Sequence, residues 1–399
     1  MKKGWQTKTL GEICDIERGG SPRPIQEFIT TAPNGINWIK IGDATASGKY
    51  IYKTEEKIKP EGVKRSRMVY EGDFILSNSM SFGRPYIMKT TGCIHDGWLV
   101  LHQPKVDPDY LYHALSSDLV FDQFDRLAAG STVRNLNIGL AKSVEIPYPP
   151  LAEQRRIVGV LDEAFAGLAT AKANAEKNLQ NARALFESHL QSVFTQRGKG
   201  WVEKRLTDIA EFKNGLNFTR QSNGQTLRMV GVGDFQEHSV VPIETLQSVT
   251  IDGKLSDDYL IRRDDILTVR SNGSKDLVGR CMIVPDVDGM TSFSGFIIRI
   301  RFDTRTLSPR FLLHFMKSSA TRERLTRDGG GANISNINQA KLSELPVSLP
   351  SFKQQEEIAN RLDDLREETQ RLARLSERKL AALEALKKSL LHQAFTGAL

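Results

Sequence analysis

The sequence predicts an α+β chain in which two loop-rich globular blocks alternate with two long helices. The helices are expected to pair antiparallel as a coiled coil, in a circular arrangement with pseudo-two-fold symmetry. Three observations carry this reading. The stretch that turns a proline stop into a helix, Pro149-Pro150-Leu151-Ala152-Glu153-Gln154-Arg155-Arg156-Ile157, returns 201 residues later as Pro350-Ser351-Phe352-Lys353-Gln354-Gln355-Glu356-Glu357-Ile358. The blocks ahead of the two copies share short segments in the same order. Each copy then opens a proline-free run whose apolar residues fall mostly three and four apart, the spacing of a coiled-coil seam.

Taken in order, the first block (1–149) and the second (198–349) begin alike. Trp5, Leu10, Ile13 and Gly19 correspond to Trp201, Leu206, Ile209 and Gly215 at a shift of 196. Residues 38–43 match 229–234, 73–77 match 264–268, and Phe82-Gly83-Arg84 matches Val278-Gly279-Arg280. Tyr110-Leu111-Tyr112-His113 answers Phe311-Leu312-Leu313-His314, and 130–137 answer 331–338. A repeat of about 200 residues is far longer than a solenoid period, so a whole domain plus a helix is duplicated. Short β-branched runs at 73–77, 98–102 and 296–302 read as strands, and 110–119 and 310–317 read as helices. The spacers (150–197 and 350–399) carry the helical runs. The first is alanine-rich, through Ala164, Ala171, Ala175 and Ala182; the second is leucine-rich, through Leu365, Leu372, Leu375, Leu383 and Leu386. Large residues on one helix are expected to face small ones on the other.

Composition narrows the class. The chain has 399 residues, 39% of them hydrophobic and 26% charged. No apolar run approaches the ~18 residues of a membrane span, and no apolar stretch follows Lys2 and Lys3, so a soluble protein without a signal peptide is expected. Cys14, Cys93 and Cys281 lack CxxC spacing, which points away from zinc and disulfides and towards a reducing cytosol. The net charge of +7, concentrated in the globular blocks, is a weak pointer to a polyanion partner.

No catalytic signature stands out. There is no phosphate loop and no complete Gly-x-Gly-x-x-Gly; Gly231-Val232-Gly233-Asp234 is half of one and reads as a strand-end turn. His95-Asp96 and His238 are isolated, and His113 and His314 recur inside helices, where they read as packing or capping residues. The remaining signal is a set of polar loops at matched places, with Arg and Lys for phosphates and guanine edges, Asn for adenine edges, and Gly for close approach. In the first block the candidate DNA-binding residues are Arg18, Ser21, Arg23, Lys40, Ser77, Asn78, Ser79, Arg84, Ser131, Thr132 and Arg134. In the second they are Lys213, Asn217, Arg220, Arg270, Ser271, Asn272, Ser274, Lys275, Arg280, Asn333 and Asn336. Frameworks agree while loops differ, which suits two readers of different half-sequences. Two other readings stay open: a self-contained nuclease or methyltransferase with a diverged site, and a coiled-coil assembly protein without a DNA role.

With these residues in view, the chain resembles the specificity subunits of type I restriction–modification systems over nearly its whole length. The Pro150-Leu151-Ala152-Glu153-Gln154-Arg155-Arg156-Ile157 stretch is similar to the family's helix start. The endings Leu190-Gln191-Ser192-Val193-Phe194-Thr195 and Leu391-His392-Gln393-Ala394-Phe395-Thr396-Gly397 are similar to its helix ends. The second helix start diverges, with Ser351-Phe352-Lys353-Gln354 in place of Pro-Leu-x-Glu. The resemblance implies two target-recognition domains on double-stranded DNA and no catalysis by this chain. It also implies two modification subunits, which carry S-adenosylmethionine and methylate adenine, and restriction subunits that use ATP and magnesium. Gln154, Ile157, Leu161, Gln355, Ile358 and Leu362 are the expected partner-binding residues.

Overall fold

The structure, a computed structural model, describes residues 4–78, 83–129, 136–196, 198–219, 222–236, 238–274, 276–326 and 335–399. The chain divides into two compact units, Met1–Ala175 with Arg378–Leu399, and Glu176–Glu377. Each unit holds one globular block and a part of both long helices, Leu151–Thr195 and Phe352–Thr396.

In the first unit the central sheet runs in the order Asp15–Arg18, Trp98–His102, Phe74–Ser77, Pro85–Met88, Tyr50–Ile51. Successive side chains of a strand point to opposite faces, and both faces here are buried. Phe74, Leu76, Leu99 and Leu101 pack towards the helices with Tyr110 and Leu161. Ile75, Trp98 and Val100 pack towards a second sheet, against Ile39, Val69 and Ile94. The block is closed by its own ends, because Gln6–Thr9 pairs antiparallel with Glu145–Tyr148 directly ahead of the helix.

The second unit repeats this plan. Its central sheet orders Ala210–Asn214, Ile297–Phe302, Ile266–Val269, Cys281–Ile283, and Val202–Arg205 closes against Pro346–Leu349. Each second sheet contains the same parallel pairing, Ile36–Ile39 with Gly92–Ile94 and Thr226–Val230 with Thr291–Phe293. The matched glycines Gly83 and Gly279 sit at φ 77° and 80°, a region that favours glycine, and their amides close equivalent turns onto Ser77 O and Val269 O.

Three expectations are corrected. The correspondence of 73–77 is with 265–269, one residue later than the sequence match. Asp73 accepts from the Tyr70 amide at 2.8 Å and Asp265 from the Arg262 amide at 2.7 Å, and Phe74 and Ile266 both face the helical side. A one-residue slip would turn every strand side chain to the wrong face; the doubled Asp264-Asp265 hid it. The helix expected over 110–119 is Pro108–Leu115 followed by a second from Asp118, since the Ser117 hydroxyl and amide both bond Ala114 O and stop the first.

The third correction concerns the seam. The helices do run antiparallel within each unit: Ile157 and Leu161 share a core with Leu391, Ala394 and Phe395, and Lys172 pairs with Glu384 at 2.9 Å in the first. In the second, Arg183 pairs with Glu377 at 3.0 Å, and Phe194 shares a core with Ala359. Where the helices join the blocks, Ile157, Leu190, Ala359, Leu391, Ala394 and Phe395 are buried; the remaining buried positions are Gln154, Leu161, Ala175 and Ala182 on one helix and Gln355, Leu362, Thr369 and Ser376 on the other. These fall on a strict seven-residue spacing. The expected leucines Leu372, Leu375 and Leu386 are exposed instead, as is Leu185 on the first helix. Thr369 and Ser376 satisfy their hydroxyls on the carbonyls four residues back, Leu365 O and Leu372 O, so small polar residues are tolerated in the seam.

Candidate nucleic-acid interface

The candidate reading surfaces are built by one frame used twice. After the first strand of the central sheet, the Gly19 amide donates to Trp98 O at 2.9 Å and the Gly20 amide to Ile94 O at 3.1 Å. The second unit repeats this with Gly215 to Ile297 O at 3.0 Å and Leu216 to Phe293 O at 2.9 Å. A further pair of bonds fixes the start of each long polar loop. Asn78 donates to Gly97 O and accepts from Leu136, while Arg270 donates to Phe296 O and accepts from Ile337. Asn78 and Arg270 therefore occupy one framework position with different side chains.

In the first unit the frame gathers candidate residues around Asp96. The Ser21 hydroxyl donates to its Oδ1 at 2.6 Å and Arg23 Nη2 lies 3.3 Å from its Oδ2. Arg18 Nε and Asn78 Nδ2 donate to its backbone oxygen at 3.1 and 2.9 Å. The Ser21 hydroxyl foremost, with Arg23 adding, holds the Asp96 carboxyl below the usual carboxylate range, so it is an anion at neutral pH. An anionic acceptor repels a phosphate but suits the exocyclic amine of cytosine or adenine. In the second unit the matched residue is Gly295, and a Cβ there would lie 2.1 Å from Asn217 Oδ1. An amide thus fills the space that a carboxylate side chain occupies in the first unit. Ser271–Asn272 pairs antiparallel with Ser335–Asn336, which sets Ser271 opposite Asn336 and Asn272 opposite Ser335, and the Ser274 amide donates to Asn272 Oδ1 at 2.8 Å.

Other candidates are placed elsewhere. Ser77 is buried at 1% exposure and cannot reach a base. Asn78 is equally buried and positions Asp96 rather than facing outward. Lys40 is spent on Glu56 at 2.7 Å, and Lys213 lies over the Tyr259 ring near Asp258. Arg280 is not at a loop tip; its guanidinium holds the carbonyls of Phe235, Gln236 and Asp276. Arg84 is exposed. Ser79, Ser131, Thr132, Arg134, Arg220, Lys275 and Asn333 lie outside the described residues. Asp96 was missed because its partners Ser21 and Arg23 are 75 and 73 residues away, and no local spacing announces that convergence.

The expected partner-binding residues face inward. Gln154 Oε1 accepts from the Asp107 amide at 2.8 Å and Gln355 Oε1 from the Ser308 amide at 2.9 Å, each tying the long helix to the N-cap of a neighbouring short one. Ile157, Leu161 and Leu362 are buried, and Ile358 is half-buried. They anchor each helix to its own block, which is incompatible with a surface grip. The same anchor includes His113 Nε2 to Asp162 Oδ1 and His314 Nε2 to Asp363 Oδ1, both at 2.9 Å. Burial pushes His113 below the ordinary histidine value against the opposing pull of Asp162. Outward-facing apolar residues at the matched helix starts are instead Leu151 and Phe352.

Two closed α+β blocks of one design, with diverged polar loops and a shared helical mount, define a tandem recognition protein. The chain belongs to the type I restriction–modification specificity family: the model of the type I restriction modification DNA specificity domain matches residues 2–179 and again 198–382. It is built as a type I specificity subunit, with two such domains in one chain. It is similar to the StySPI specificity subunit of Salmonella potsdam, at 24% identity over 100% of this chain and 90% of that one. The EcoKI specificity subunit of Escherichia coli K12 is 25% identical over the same shares, 100% and 90%. Among solved structures, the HsdS subunit of Thermoanaerobacter tengcongensis superposes with a TM-score of 0.63 at 18% identity, covering 100% of this chain and 98% of that one. A chain from work on assembly and conformational transition of the type I R-M system gives 0.79 at 19% identity, covering 100% and 99%. Among the described residues no helix is long and apolar enough to cross a membrane.

Proposed function

We propose that this chain reads an asymmetric, bipartite duplex DNA target, one half-sequence per block, and performs no chemistry itself. The observation that carries this reading is the shared frame with exchanged chemistry: Ser21 with Asp96 against Asn217 with Gly295, and a half-buried Arg270 where the first unit has the inward Asn78. A fixed frame presenting different donors and acceptors is what two half-sites of unlike sequence require. Methylation of adenine is assigned to modification subunits that bind S-adenosylmethionine, and cleavage to restriction subunits using ATP and magnesium. The exposed Leu151 and Phe352, together with Leu185, Leu372, Leu375 and Leu386, offer the helices' apolar surface to such partners. The cytoplasm of a bacterial or archaeal cell is the setting proposed.

The test is base-resolved binding by the assembled complex. Arg270→Ala is expected to weaken binding to the specific target by about 1–3 kcal/mol and to relax one half-site. Asp96→Ala should relax the other. Equal losses across all DNA sequences would make Arg270 a phosphate contact, and relaxation of both halves by one substitution would contradict separate readers.

A further inference from the structure

Each unit contains a cleft where its block meets the helices, and the two clefts share a set of matched positions. The first is lined by Gly83, Arg84, His113, Ser116, Phe121 and Phe165, among others. The corresponding residues of the second are Gly279, Arg280, His314, Lys317, Arg322 and Arg366. Three neutral positions, Ser116, Phe121 and Phe165, are thus cationic in the second unit. Lys49, Arg84 and Lys387 are offset in the first cleft by Asp118, Asp125 and Asp162. In the second, Arg183 joins those cations and Glu187 is the one carboxylate among the described lining residues.

Internal pairing accounts for part of this charge: Arg183 pairs with Glu377 at 3.0 Å and Arg366 with Asp363 at 3.1 Å. Lys317 Nζ donates to the Ser239 hydroxyl at 2.7 Å, and no carboxylate ion pair is found for it among the described residues. Arg280 is bonded to carbonyl oxygens, which occupy its N–H groups without cancelling its charge. The cleft encloses about 600 Å³, ample for a small polyanion.

We propose that the cleft of the second unit is a phosphate-binding site, with Lys317, Arg366 and Arg280 as its cationic wall, and that the first unit lacks it. Burial, joined by Arg366 and Arg280, pulls the Lys317 ammonium down to about 8. A bound phosphate relieves a charge that is costly to hold there. The site shares no residue with the Asn217, Arg270 and Gly295 positions and does not rest on their reading bases. Its ligand is either a free polyphosphate or a backbone phosphate of DNA, since both present the same oxygens.

Calorimetric titration of the full-length chain with pyrophosphate at low ionic strength tests this. Wild type is expected to bind saturably, and Lys317→Met and Arg366→Phe each to weaken binding at least tenfold, while Ser116→Ala in the first unit leaves it unchanged. Arg183→Ala, at an exposed position on the same wall, is expected to weaken binding about threefold and gives the reading should a buried change unfold the chain. Competition by a short duplex without the target sequence would identify the source as backbone phosphate; its absence would identify a free polyphosphate. No saturable binding by wild type, or equal binding by all the cleft variants, overturns the proposal.

Discussion

Gly215→Ala is expected to destabilise the second unit by about 3 kcal/mol, the upper part of the range for overpacking. A Cβ at this position would lie 2.2 Å from Ser294 O and 2.3 Å from Phe293 O. Those atoms are backbone, fixed by the strand pairing of Thr291–Phe293 and by the Leu216 amide, so they cannot rotate away as a side chain would. The same close approach is repeated at Gly19, where the Cβ would meet His95 O at 2.0 Å, and Gly19→Ala should behave alike. The segment displaced in each case carries Ser21 or Asn217, so sequence reading should fail with stability. Urea denaturation of the variants checks this; a loss below about 1 kcal/mol would mean that the two strands separate freely and that the frame is looser than described.

Leu362→Ala is expected to cost about 2–5 kcal/mol, the range for truncating a fully buried leucine. Leu362 has no exposed surface and lies in the seven-residue series that includes Gln355, Thr369 and Ser376. Leu375→Ala should change stability by no more than about 0.5 kcal/mol, because Leu375 is 59% exposed. The contrast matters because apolar periodicity alone treats the two leucines as equals. Thermal melts of both variants separate them; equal losses would restore the leucine-rich seam and contradict the small-residue one. A further expectation concerns assembly, since Leu375 is among the surface residues offered to partners, so its loss should be felt in complex formation before it is felt in folding.

What was legible in the sequence was whatever duplication and periodicity encode. The 201-residue repeat gave both helix starts, and proline-free runs gave helices whose observed bounds are Leu151–Thr195 and Phe352–Thr396. The matched glycines Gly83 and Gly279 were visible because a positive φ restricts the choice of residue. The seam was misread in part: Ala175, Ala182 and Leu362 are buried as expected, but the helix surface carries leucines as well as its core, and counting apolar residues cannot tell which side is covered. Gln154 and Gln355 were visible as repeated residues but their direction was not; a buried amide that satisfies a neighbouring helix cap looks, in sequence, like a surface residue. The Asp96 cluster was beyond reach for a different reason. Its members come from separate strands and loops of the first block, and only the closing of that block brings them together.

On the function proposed above, each block reads its own half of the target. Methylated adenines mapped genome-wide, in cells carrying the complete system with residues 1–149 exchanged for the matching block of a relative, test it most directly. One half-site is expected to change while the other is retained. A change in both halves, or in neither, would contradict it.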